Sequence, residues 1–255
     1  MKTRSWLPAS MVFVVAAIGA CGEAHGQATL KGRFVYDGAP PAPEKITPSQ
    51  DAAVCGKHNL VREQVVVDKN GGLANVAIWL STKGIEAPSE TPTTPAVIDN
   101  KECRFTPHVL LLRAGQPLEI KNSDALGHNT KGTPRNNAEF NVLIPANGSQ
   151  TIKNLTRAER QPFEVQCSIH PWMNAWIVLL DGPFAAVSGP DGSFEIKGLP
   201  EGKKLEFLVW QEKARYLKNV GVGSAKTSAF GKFSLTLKAG ENDLGTIKVP
   251  ASVFK

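Results

Sequence analysis

From Gln27 onward the chain sustains no run of apolar residues at three- and four-residue spacing, so a helical domain is excluded. The apolar residues fall instead in short alternating segments cut by turn residues, of which 20 glycines and 17 prolines from Gln27 onward are the main supply. Residues 28–36 alternate and stop at Asp37-Gly38. Residues 64–68, a turn at 69–72 and residues 73–80 predict a hairpin. Further strands are predicted at 108–112, 118–121, 140–144, 149–154, 163–165, 175–180, 233–237 and 244–249. A single helical turn is predicted at 156–161. Short strands at such regular spacing predict an all-β chain built from sandwiches or barrels.

The length suits two modest cores, and the Pro-rich segment 88–95 reads as a linker, with a boundary near residues 83–95. Residues 1–26 read as a secretory signal: Lys2 and Arg4, an apolar run over 6–20, then small residues. Two cleavage readings stand. Ala24-His25-Gly26 before Gln27 suits ordinary signal peptidase, and Ile18-Gly19-Ala20-Cys21 matches a lipobox with Cys21 lipidated. Either predicts an exported protein, periplasmic or at the cell surface, touching a membrane only through a lipid on Cys21. The apolar run of about fifteen residues falls short of the roughly twenty that span a bilayer. Without Lys2, Arg4 and Glu23 the formal charge is about +5, scattered without a basic run, so nucleic-acid binding is not expected.

Residues 167–173 read Cys-Ser-Ile-His-Pro-Trp-Met, placing a thiolate (Cys167), an imidazole (His170) and a thioether (Met173) in one short segment. A tight loop between two strands folds such donors round one ion, and soft sulfur with imidazole suits copper cycling between Cu(I) and Cu(II). A second imidazole is expected from His128, just past the strand 118–121, in a strand-end loop facing the Cys167 loop. Taken singly, Cys167 reads as a buried thiol or half of a disulfide, the two histidines as surface loop residues and Met173 as core filler. Their order and spacing together are what single them out.

Phe105-Thr106-Pro107, Ala114-Gly115, Ile120-Lys121-Asn122, His128-Asn129 and the Cys167–Met173 segment occur in the order found in cupredoxins. Over residues 96–181 the chain resembles that family of type 1 (blue) copper proteins, in its amicyanin and plastocyanin branch. The resemblance implies a Greek-key β-sandwich holding one copper through His128, Cys167 and His170, with Met173 as a weak axial ligand. It also implies that Asn129 stitches the two ligand loops together by hydrogen bonds.

Cys55 and Cys103 then remain, and a disulfide between them is expected, with the lone-thiol reading still open. A rival zinc site would pair Cys55-x2-His58 with Cys167-x2-His170. A c-type haem is disfavoured, since no Cys-x2-Cys-His occurs. His108 is left without a role. Pro171 and Trp172 form a candidate partner patch beside an exposed edge of His170, although Trp172 and Trp176 equally suit packing.

Asp191-Gly192-Ser193-Phe194, Gly198-Leu199-Pro200 and Gly202 resemble the carboxypeptidase regulatory-like (transthyretin-like) sandwich, a small non-catalytic fold. This second sandwich is expected over 182–255, with the β segment 27–95 pairing to it across the intervening domain. Together these readings predict a carrier of single electrons rather than an enzyme. Its partner would be a redox protein such as a c-type cytochrome or a dehydrogenase, met transiently. Two alternatives stay open: a copper module for storage or delivery, and a structural β-protein.

Overall fold

Alternation of buried and exposed side chains along the longest strands sets the architecture. In Gln27–Asp37 the positions Ala28, Leu30, Phe34 and Tyr36 turn inward while their neighbours face out. The computed structural model describes residues 27–85 and 90–255, so residues 1–26, read above as a signal and including Cys21, and Pro88-Ser89 of the expected linker lie outside the described residues. Those described are almost entirely strand and loop, and the chain is all-β. Among them no helix is long and apolar enough to cross a membrane.

Residues 96–180 form two facing sheets. One runs in the order Val109–Arg113, Asn174–Leu180, Phe163–Gln166, His128–Gly132, Phe140–Ile144. The other runs Arg104–Thr106, Ala96–Lys101, Leu118–Asn122, Ser149–Ile152. Between them lies a core that includes Ile98, Phe105, Leu118, Ile120, Ile144, Val165 and Ile177.

The second pair of sheets draws on both ends of the chain. Gln27–Asp37 sits between Ser193–Pro200 and Gly240–Pro250, antiparallel to the first and parallel to the second. Ala77–Leu80 sits between Ala185–Val187 and Lys204–Gln211. Strands on either side of residues 96–180 therefore share one core, with Phe34, Ile78, Phe207 and Val249 buried in it. The turn at Gly192 (φ 84°) closes this union: Phe34 N–H donates to the Gly192 carbonyl and Leu73 N–H to the Phe34 carbonyl. A Cβ on Gly192 would lie 2.1 Å from the Phe34 oxygen, so only glycine fits.

The two sandwiches meet through Trp79, Val109, Trp176, Val178, Leu208 and Trp210. The Trp176 and Trp210 rings lie 5.2 Å apart, and the Arg215 guanidinium sits 4.5 Å above Trp176. His108 belongs to this interface. It is buried, and its Nε2–H donates to the Glu212 carboxylate, which also accepts from Asn174 Nδ2 at 3.0 Å.

Three local expectations are corrected. Residues 156–161 form no helix, because their polar groups bond outward: Asn137 Oδ1 accepts from Arg157 N–H, and Glu159 accepts from the Asn136 N–H. The hairpin over 64–80 shrinks to a single bridge, Val67 to Leu73, around the 68–72 turn. Asn75 takes a left-handed conformation (φ 62°) and its N–H bonds Ser188, so the second strand is only Ala77–Leu80. A one-turn helix at Ala52–Cys55 was not anticipated.

Burial pushes the Glu212 carboxyl up, but its hydrogen bonds with His108 and Asn174 outweigh this and hold it below 4.5. A carboxyl depressed on folding stabilises above its unfolded value, and that stabilisation is lost as pH falls through the folded one. Glu212→Gln should therefore lower stability near neutrality by about 1–3 kcal/mol. In denaturant titrations the gap to wild type should close on acidification below 4.5. A gap that stays constant would show that Glu212 does not hold the interface as an ion.

Candidate metal centre

Four segments converge at one end of the 96–180 sandwich. His128 is the first residue of the strand His128–Gly132, not a loop residue, so its backbone is fixed by pairing with Ile144. Cys167 follows the strand Phe163–Gln166. The loop to Asn174–Leu180 closes on itself, with Cys167 N–H donating to the Met173 carbonyl and Met173 N–H to the His170 carbonyl. His170 N–H in turn points at Cys167 Sγ, 3.4 Å away.

The structure brings His128, Cys167 and His170 together, all buried. Cys167 Sγ lies 3.9 Å from His128 Nδ1 and 3.7 Å from His170 Nδ1, and the two Nδ1 atoms are 2.9 Å apart. Met173 is buried in the same core as Cys167. Asn129, in the strand His128–Gly132, bonds the Cys167 loop: its Oδ1 accepts the Ser168 N–H at 2.6 Å and the Ile169 N–H at 3.3 Å, and Cys167 Sγ approaches it at 3.4 Å.

Two carboxylates that sequence reasoning missed orient the rings. His128 Nε2–H donates to Asp124 Oδ2 at 2.9 Å, and His170 Nε2–H donates to Asp51 Oδ2 at 2.9 Å. Asp124 also accepts the N–H groups of Glu102 and Cys103. The Asp124–His128 spacing of four residues was a usable sign. Asp51, 119 residues from His170, left none.

Burial raises the Asp124 carboxyl, but the bonds from His128, Cys103 and Glu102 bring it below its usual value. Burial would lower His128, yet its bonds to Asp124 and Cys167 raise it. Burial raises the Cys167 thiol, while His128 and the surrounding backbone N–H groups pull it below the ordinary thiol value. His170 is lowered, first by burial and also by the charge of His128, against the opposing pull of Asp51.

This chemistry decides whether a metal fits. With both Nε2–H groups committed to carboxylates, both Nδ1 lone pairs face each other beside sulfur, and only a cation among them relieves the repulsion. A metal ion bound among them would do so, displacing protons from the site. Two imidazoles and a thiolate fit copper. The rival zinc site does not assemble, because Cys55 is bonded to Cys103. Among the described residues the other candidate group, Cys103, Asp124 and His128, is ruled out by the same bond.

The partner-patch expectation is corrected. Trp172 is 8% exposed and its Nε1–H donates to the Cys103 carbonyl, so it is core. His170 is 0% exposed, since Asp51 and its loop cover the edge that was expected to be open. Pro171 does face solvent, beside Ile169 at 37% exposure.

No protein-family model matches the chain, and no curated protein does. Among solved structures, a copper-containing nitrite reductase from Thermus scotoductus SA-01 is similar at 20% identity and a TM-score of 0.31, over 39% of this chain and 25% of that one. The amicyanin of Paracoccus versutus is similar at 15% identity and a TM-score of 0.30, over 40% of this chain and 96% of amicyanin. The Cu(I) form of an amicyanin point mutant gives 16% and 0.30, over 40% and 97%. The chain thus spans a quarter of the nitrite reductase chain.

Asp124→Ala should strand the buried donors on Cys103 and His128 at a cost of about 1–3 kcal/mol each. Chemical denaturation of the metal-free protein measures it. Stability equal to wild type would show that Asp124 is not the anchor of this end of the sandwich.

Proposed function

We propose that the chain is an exported type 1 copper protein that carries single electrons between redox partners. The observation that carries this reading is the pair of facing Nδ1 atoms beside Cys167 Sγ, each ring held from behind by a carboxylate. Bound copper would supply the redox chemistry, accepting one electron as Cu(II) and returning it as Cu(I). His128, Cys167 and His170 would hold it, with Met173 as the weak fourth donor.

The residues around the site work to keep it rigid. Asn129 clamps the Cys167 loop against His128–Gly132, and the carboxylates prevent either ring from turning. A site that needs little rearrangement on gaining an electron transfers it quickly. His108 is engaged by Glu212 at the interface of the two sandwiches. The second sandwich, with its carboxypeptidase regulatory-like turns, would act as a rigid mount. A c-type cytochrome or a dehydrogenase is the kind of partner such a carrier would meet transiently, in the periplasm or at the cell surface.

A second reading, holding copper for storage or delivery, is favoured by the complete burial of His170. Optical and electrochemical measurements separate the two. An intense blue band with reversible one-electron chemistry supports the carrier, whereas a protein that holds only colourless Cu(I) supports delivery. Cys167→Ser should abolish the blue band, and Met173→Leu should keep it and raise the potential. A Cys167→Ser protein that stays blue, or a wild type that never colours with Cu(II), would reject the assignment.

A further inference from the structure

The loop 44–62 leaves the second sandwich and lies against the first. Its neck is closed by Arg62 N–H to the Glu44 carbonyl and Ile46 N–H to the Leu60 carbonyl. Its tip is pinned by the Cys55–Cys103 disulfide. Asp51, next to that tip, occupies the N-cap position of the helix Ala52–Cys55, where an aspartate ordinarily accepts from the first turn through its side chain. Here no side-chain cap bond forms, and the backbone carbonyl takes the Val54 and Cys55 N–H groups instead. The backbone is left-handed (φ 47°), a conformation that aspartate tolerates better than most residues. The carboxylate, freed from capping, reaches His170 Nε2 at 2.9 Å, and its own side chain is 50% exposed.

We propose that Asp51 is a positioning residue for the metal centre: it fixes His170 as the Nε2–H tautomer, aims Nδ1 at Cys167 and seals the imidazole edge from solvent. The half-exposed carboxylate is then the outermost group on the hydrogen-bonded path from His170 to the surface, and a partner meets it rather than a bare ring. The tautomer claim stands on the metal-free chain alone, while the consequence for copper rests on the reading of the preceding section.

Two variants test it. Asp51→Gly deletes the carboxylate at a φ that glycine adopts freely, and no cap bond is lost with it. Asp51→Asn keeps an oxygen acceptor without the charge. Long-range ¹H–¹⁵N correlation spectra of the metal-free protein should show His170 protonated at Nε2 in wild type and in Asp51→Asn, and a mixture of tautomers in Asp51→Gly. Copper affinity, measured against a competing chelator, should fall about 10- to 100-fold in Asp51→Gly and less in Asp51→Asn, as for other partners of metal-bound imidazoles. A His170 tautomer unchanged in Asp51→Gly would overturn the proposal even if the wild type is blue. A tautomer shift in a protein that never turns blue would uphold the role of Asp51 and reject the electron-carrier reading instead.

Discussion

Each of the two histidines at the candidate centre donates its far nitrogen to a carboxylate, and the two carboxylates are linked through one disulfide and a hydrogen bond. Asp51 stands four residues before Cys55, Cys55 is bonded to Cys103, and the Cys103 N–H is held by Asp124. The path from His170 through Asp51, the disulfide and Asp124 to His128 therefore behaves as a brace. Trp172 strengthens it by donating to the Cys103 carbonyl from inside the ligand loop. A disulfide closing a loop of this span contributes about 2–5 kcal/mol, and here it also joins the segment that carries Asp51 to the one that Asp124 holds.

The remainder of the fold supplies the fixed frame that such a brace needs. The 96–180 sandwich presents His128 from a paired strand and Cys167 from the end of another, so neither backbone is free to drift. The second sandwich grips the first through the Trp176–Trp210 contact and the buried His108–Glu212 pair. Glu212 also holds Asn174, the residue after Met173, so the interface and the ligand loop share a hydrogen bond. The loop 44–62 springs from the second sandwich and covers the first. Both sandwiches thus contribute to the site, although only one carries the donors.

What the sequence disclosed follows from range. Cys167 and His170 lie within one short loop, so their convergence needs only a turn, and His128 is marked by the Asn129 beside it. The all-β class is equally local, resting on alternation that each strand shows by itself. Asp51 was hidden because its role depends on a contact 119 residues away, made by a segment without periodicity. For the same reason His170 and Trp172 were read as exposed: the loop that covers them is fixed by a disulfide, and spacing along the chain does not show what a disulfide folds over. The helix Ala52–Cys55 is a single turn, too short for an apolar pattern, and the shortened hairpin ends at Asn75, whose left-handed backbone breaks an otherwise regular run.

The central claim is that these braced side chains form one rigid His2Cys set for copper. X-ray absorption at the copper edge, on the loaded protein in both oxidation states, tests it most directly. The account predicts one short copper–sulfur distance with two imidazole nitrogens, nearly the same before and after reduction. A shell of nitrogen and oxygen alone, or the loss of an imidazole on reduction, would contradict it.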